Sequence, residues 1–384
     1  EPLRTWQAPD WLASRIPGSP YIPALYQDEV GGTAYEPEQC VRLDIDLLGG
    51  VFWFLTRYEE PVTGALDARG RFPAAASLAY RHGLVGRPLV NEYVEVFWAA
   101  LSLLWPSLER KRRVYRVAVS HDVDWPLFGR GRRPVELARA MAGDVMRRRE
   151  PGLALRRAQA VLSAPRGVAG SDPHGTFDFL MDCSERAGIQ SAFYFIAGHT
   201  GGSIDGNYHI DEPWVRRLLR RIADRGHEIG LHPSYQTFQD RHAMAVELHR
   251  LRTVIADEGL GCEVRGGRQH YLRWRNPTTW RIWDDLGLAY DATLSFADHV
   301  GFRCGTCDEY PVFDLQARRA LGLRERPLIV METTLFAYMG LSWDVALEQI
   351  GRLSDACRRY QGTFTLLWHN DSLASAEQRR HYQN

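Results

Sequence analysis

The chain has 384 residues, 45% hydrophobic and 24% charged, and its 47 basic and 47 acidic side chains cancel to a formal net charge of zero. That balance belongs to a globular protein with a large core. It argues against a nucleic-acid or anionic-membrane surface, although a local basic patch can hide inside a neutral total. No run reaches the roughly 18–20 apolar residues that span a bilayer. The opening EPLRTWQAPDW lacks the basic-then-apolar layout of a signal peptide, and the scattered cysteines form no dense framework. The expected compartment is the cytoplasm.

Residues 1–112 read as an N-terminal α+β domain with no legible chemistry. They mix short apolar runs such as VFWFLTRY with a helical segment, VNEYVEVFWAALSLLWPSLER. In that segment Val90, Val94, Phe97, Trp98, Leu101 and Leu104 recur at three- and four-residue spacings and mark one buried face. The charged break ERKRR at 109–113 is the expected boundary. From 113 to 384, short apolar runs alternate with amphipathic helices. Strands are expected at 114–120, 191–197, 228–231, 262–267, 289–292, 328–333 and 364–368. Helices are expected near 135–163, 176–187, 212–225, 240–258, 277–286 and 343–360. The alternation implies a parallel sheet. Over about 270 residues, about seven strands predict an α/β fold in the form of a distorted (β/α) barrel.

The candidate chemistry falls at strand ends. Asp122 and Asp124 follow the first strand, His232 ends the third, His270 follows the fourth and His369 follows the last. In a parallel barrel all carboxyl ends open onto one face. In SHDVDW at 120–125, one aspartate can bind a cation while the other serves as a base; equally, the pair can cap a helix or an Asx-turn. In HEIGLHPSYQT at 227–237 the two histidines lie at opposite ends and on opposite faces of a strand. His232 is the ligand candidate, and His227 reads as a core or capping histidine.

GGRQHYLRW at 266–274 has two glycines that admit another backbone or a ligand. Arg268, His270, Tyr271, Arg273 and Trp274 follow, offering a guanidinium fork, an imidazole and aromatic faces for a sugar ring. The plainer alternative is a surface loop with snorkelling arginines. FTLLWHND ends an apolar strand in His369, which suits a general acid or a strand cap. FADHVGFR places Asp298, His299 and Arg303 beside the same mouth as substrate contacts. CGTC at 304–307 lacks the second half of a metal site and reads as ordinary thiols. No GxGxxG turn, phosphate-cradling GxxxxGK[ST] or GxSxG elbow is present. The glycine-rich GHTGGS at 198–203 fits none of these.

Taken in order, SHDVD, HEIGLHPSY, RQHY and LLWH resemble the polysaccharide deacetylase superfamily with the NodB-type fold, over about residues 114–370. The usual pattern there is TFDDG, then HEIG with HSxxH metal ligands, RxPY, and a late LxH. More narrowly, HEIGLHPSY, GGRQHYLRW, FADHVGFRCGTC and TLLWHN resemble a bacterial subgroup found with surface-polysaccharide gene sets. In that subgroup an uncharacterised N-terminal domain precedes the barrel, and residues 57–93 resemble it. The resemblance implies Asp122 as catalytic base, Asp124 as metal-binding carboxylate and His232 as first metal histidine. It implies Arg268 and Tyr271 as the RxPY pair, and His369 as general acid.

Two positions depart from the pattern. The second metal histidine, four residues after His232, is Gln236, and the proline of RxPY is His270. The two changes read as compensating. Neighbouring parallel strands lie about 4.8 Å apart, so His270 can reach a metal held from the third strand. The set becomes Asp124, His232 and His270 with an open position, the donor set of a catalytic zinc ion.

The expectation is one divalent metal, zinc, and hydrolysis of a carbon–nitrogen amide bond in an N-acetylated carbohydrate. Asp122 helps deprotonate water, backbone amides near Tyr271 stabilise the oxyanion, and His369 protonates the amine. The competing readings are a hydrolase of a non-sugar amide or cyclic ureide, and a silent barrel that binds glycans or assists assembly. Loss of the HSxxH histidine favours the silent barrel; retention of Asp122 and His369 speaks against it.

Overall fold

The computed structural model describes residues 3–27, 32–37, 39–146, 148–163 and 172–384. The first two residues of the EPLRTWQAPDW segment lie outside them. The chain forms two compact units, one of residues 1–117 with 293–365 and one of 118–292 with 366–384. Residues 293–365, which follow the barrel-like alternation in the sequence, thus group with the N-terminal segment. Among the described residues no helix is long and apolar enough to cross a membrane.

In the first unit the helix Leu89–Leu104 anchors a core. Its Tyr93, Val96, Ala99 and Ala100 are buried with Trp6, Leu12, Ile22 and Ile45. Of the face marked by the large residues, only Val90 is buried. Val94 and Phe97 are 37% and 43% exposed, and Trp98, Leu101 and Leu104 are only partly buried. The helix is apolar nearly all round, so helical spacing exists on more than one face, and the alanines permit the closer approach. Asn91 and Glu92 go inside because they are paired. Asn91 donates to Asp308 at 2.8 Å, and Arg87 holds Glu92 at 2.6 Å.

The apolar run VFWFLTRY belongs largely to a second helix, Leu47–Leu55, started by Asp46, whose carboxylate accepts the Gly49 N–H at 2.8 Å. A Cβ at Gly50 would stand 2.2 Å from the Tyr93 ring, so glycine sets that approach. An antiparallel hairpin, Tyr310–Asp314 with Arg319–Glu325, was not anticipated.

In the second unit, β1 (Arg116–Val123, from residue 118), β2 (Ala192–Phe195), β3 (Glu228–Leu231), β4 (Gly266–Gly267) and β5 (Tyr290–Asp291) pair side by side in chain order, all parallel. On the other side of β1 runs β6 (Thr363–Leu367), where the Trp368 N–H donates to the Ser120 carbonyl at 3.0 Å. The strand order is linear and does not return on itself, which corrects the barrel expectation. Closure needs strands long enough to pair all the way round, and β4 and β5 are two residues each.

The strands formed where short apolar runs stood. All four residues of β2 are buried, as in parallel sheets covered on both faces. The covering helices carry one apolar stripe: Pro213–Asp224 buries Trp214, Val215, Leu218, Leu219 and Ile222. The single helix expected over 135–163 is two, Pro134–Met146 and Pro151–Ser163, because a proline cannot continue a helix. His227 sits at the start of β3, where its Nδ1 accepts the Ser191 N–H at 3.2 Å, at the far end of the strand from His232. The carboxyl ends of β1, β3, β4 and β6 therefore carry the acids and histidines singled out above, the side of an α/β sheet where ligands bind.

Candidate active site and metal centre

Asp124 is the hub. Its Oδ1 lies 3.2 Å from His232 Nε2, and its Oδ2 lies 3.4 Å from His270 Nε2 and 3.7 Å from His369 Nε2. Ligand atoms of Asp124, His232 and His270 all fall within 4.8 Å of one another. The far nitrogen of each ring is held: His232 Nδ1 donates to the Arg268 carbonyl at 2.6 Å, and His270 Nδ1 donates to Asp205 at 2.9 Å. Both rings therefore aim Nε2 inward. His232 Nε2 and Asp124 Oδ1 are buried, and their approach makes no hydrogen bond. A buried lone pair beside a buried carboxylate oxygen needs an explanation, and a shared cation supplies one. Two imidazoles and a carboxylate suit zinc.

The electrostatics agree. Burial alone would raise the Asp124 carboxyl, but the charge of His270 and the approach of both imidazoles outweigh it and hold it well below the usual range. Burial would lower His270, yet Asp124 and Asp205 on either side push it up to about 9. A cation bound at Nε2 would stand where that proton is, so protons and metal compete.

Beside the triad, Asp122 is 2% exposed. Its Oδ1 accepts from Arg268 at 2.8 Å, and its Oδ2 lies 3.8 Å from His232 Nε2. Arg268 also donates to Ser120 Oγ at 3.0 Å and the Ala292 carbonyl at 2.8 Å, with its guanidinium 5.1 Å from the Tyr194 ring. At 2% exposure it is an interior clamp on Asp122, not a snorkelling surface arginine. The glycines before it admit backbone: a Cβ at Gly267 would stand 1.7 Å from the Leu231 carbonyl oxygen. Just beyond, Tyr271 and Leu272 both take left-handed φ, 60° and 56°. For residues with bulky side chains that conformation costs about 1–3 kcal/mol each and clusters at functional sites. It turns the Tyr271 ring against His270 at 4.6 Å and Tyr235 at 5.4 Å.

Other residues stand apart from this cluster. Gln236 is exposed, and its side chain accepts from Arg273 at 3.0 Å. Arg273 itself lies 4.0 Å from the ring centres of both Tyr235 and Phe238. Trp274 is 3% exposed and packs edge-on to Trp280 at 4.6 Å, inside the unit and not on an open face.

His299 and Arg303 belong to the first unit. His299 is half-buried, 5.1 Å from the Tyr80 ring, and Arg303 is buried with both ends of its guanidinium on Glu60, at 3.0 and 2.7 Å. Cys304 and Cys307 are buried free thiols. Sequence reasoning missed Asp205, the fully buried partner of His270. Its only local signal was the glycine-rich run around it.

Residues 7–106 match a family described as "Family of unknown function (DUF7033)". No curated protein matches the chain. Among similar solved structures is a Mycobacterium smegmatis protein provisionally titled a polysaccharide deacetylase, 17% identical, with 72% of this chain and 84% of that one covered and a TM-score of 0.44. Puue allantoinase is 13% identical over 69% of this chain and 82% of its own, with a TM-score of 0.38. A BA3943 mutant, a CE4 family pseudoenzyme with restored enzymatic activity, is 11% identical over 72% and 61%, with a TM-score of 0.33.

Proposed function

We propose that this protein is a metal-dependent amide hydrolase, an N-deacetylase of an N-acetylated sugar in surface-polysaccharide metabolism. The observation that carries the reading is the convergence of Asp124, His232 and His270 within 4.8 Å, next to a carboxylate and an imidazole suited to acid–base work. The order SHDVD, HEIGLHPSY, RQHY, LLWH supports it. On this reading residues 1–112 are an N-terminal domain and 113–384 the deacetylase-like part, acting in the cytoplasm.

Asp124, His232 and His270 would hold one divalent cation, zinc, which when bound supplies Lewis acidity to an amide carbonyl and to water. Arg268 occupies Asp122 Oδ1, so Oδ2 is the oxygen that takes a proton from the attacking water as the water oxygen bonds to the carbonyl carbon. His369, on the far oxygen of Asp124, gives its proton to the amide nitrogen as the C–N bond breaks. A free amine and acetate leave. The backbone at Tyr271 supports the oxyanion. Arg273, partly exposed beside Tyr235, is the substrate contact on this unit, and buried Trp274 supports the fold behind it.

A second reading rests on one specific feature. His270 lies between two carboxylates, which an imidazolium satisfies without a cation. The site would then hydrolyse a non-sugar amide or cyclic ureide, or bind a glycan, without metal. Elemental mass spectrometry separates the two. The first reading expects about one zinc or similar ion per chain, lost in Asp124→Ala and His270→Ala, and acetate released from N-acetyl sugars. No ion after incubation with zinc, cobalt or nickel sinks it in favour of the second.

A further inference from the structure

The glycine-rich run GHTGGSIDG at 198–206 follows β2 and matches no phosphate or dinucleotide fingerprint. What it delivers is a carboxylate. Asp205 is 0% exposed and accepts three directed bonds. Its Oδ1 takes the His270 Nδ1–H at 2.9 Å and the Tyr235 N–H at 2.8 Å, and its Oδ2 takes the Gly201 N–H. Two glycines make room for this. A Cβ at Gly201 would stand 2.7 Å from Tyr235 Cβ, and one at Gly206, where φ is +87°, would stand 2.6 Å from the Asp124 carbonyl oxygen. The loop thus packs against the backbone of the ligand aspartate itself. It is tied again through Thr200 Oγ1, 2.6 Å from Ser234 Oγ, and the Ser234 backbone N–H donates to buried Glu247 at 2.9 Å.

We propose that Asp205 is a positioning residue of the metal centre: it fixes His270 with Nδ1 protonated and Nε2 toward Asp124, and so makes an imidazole at this position a metal ligand. The inference rests on the metal-dependent reading above. A carboxylate on the far ring nitrogen orients a ligand histidine and strengthens it as a donor. His232 has only a neutral partner there, the Arg268 carbonyl. Charge adds a second argument. Arg268 offsets Asp122, which leaves Asp124 and Asp205 as the two carboxylates that match a divalent ion.

The test is Asp205→Asn, which keeps the shape but turns an amide NH2 toward a ring of donors. Zinc affinity is measured by competition with a chromophoric chelator, and cobalt absorption reports geometry. The wild type should bind one ion, and the variant should bind about 10–100-fold more weakly with an altered cobalt spectrum. Unchanged affinity and spectrum in the variant overturn this inference alone. A wild type that binds no ion overturns the metal reading and this inference with it. Should the variant fail to fold, NMR of the cadmium-loaded wild type with isotope-labelled histidine decides. Cadmium coupling through His270 Nε2 with Nδ1 still protonated supports the role; coupling through Nδ1, or none, overturns it.

Discussion

On the proposed mechanism, Arg268→Gln separates the base from the metal site, because Arg268 serves the two with different atoms. Its side chain holds Asp122, Ser120 and the Ala292 carbonyl, while its backbone carbonyl holds His232. Glutamine keeps the backbone and loses the fork. Asp122, 2% exposed, is then left with no cationic clamp, and removing one partner of a buried pair costs about 3–5 kcal/mol. The second unit has about 190 residues, for which each kcal/mol moves Tm by about 2–4 °C. Calorimetry should therefore show a fall of about 6–20 °C.

A mis-aimed base should lower kcat about 100-fold, with metal content unchanged. A surface arginine would behave otherwise, within about 0.5 kcal/mol and a degree or two. The double-mutant cycle with Asp122→Asn should show coupling of roughly 1–3 kcal/mol, since the buried charge is then gone. A Tm within about 2 °C of wild type, or loss of the metal together with activity, refutes the division of labour.

Gln236→His should neither add metal nor restore it to His270→Ala, because residue 236 is exposed and its side chain rests on Arg273; metal recovered in the double variant would put that position in the ligand sphere. Burial pushes Glu247 up to about 7 from an ordinary 4.5, against two bonds from Ser234 that lower it. The native state then keeps a proton that the unfolded chain loses first, so this contribution is full below 4.5 and gone by about 7. Glu247→Gln should accordingly gain stability relative to wild type as pH rises through that window, and a pH-independent difference in denaturant midpoints would contradict the sign. Trp274→Ala should cost about 3–5 kcal/mol of stability with KM little changed; a raised KM in a fully stable protein would make Trp274 a sugar platform instead.

The strands were legible because parallel strands covered on both faces read as short apolar runs, and the clustering of Asp124, His232 and His270 was legible because such a sheet gathers its carboxyl ends on one side. Strand length was not legible. β4 and β5 are two residues each, and an apolar run does not say how much of itself will pair. Nor could periodicity choose a face for Leu89–Leu104, where small Ala99 and Ala100 went inside and Phe97 stayed out.

Asp205 was invisible for a different reason. Its partner His270 lies 65 residues further along, and no local pattern encodes a contact between two loops. On the proposed metal reading, the exchange of Gln236 and His270 expresses the same limit from the other side. A cation responds to donors in space and not to their spacing along the chain. Where adjacent strand ends lie about 4.8 Å apart, a ligand can move from one strand to the next and keep its place in the set. A search for HSxxH would score this site as broken, yet Asp124, His232 and His270 still converge within 4.8 Å.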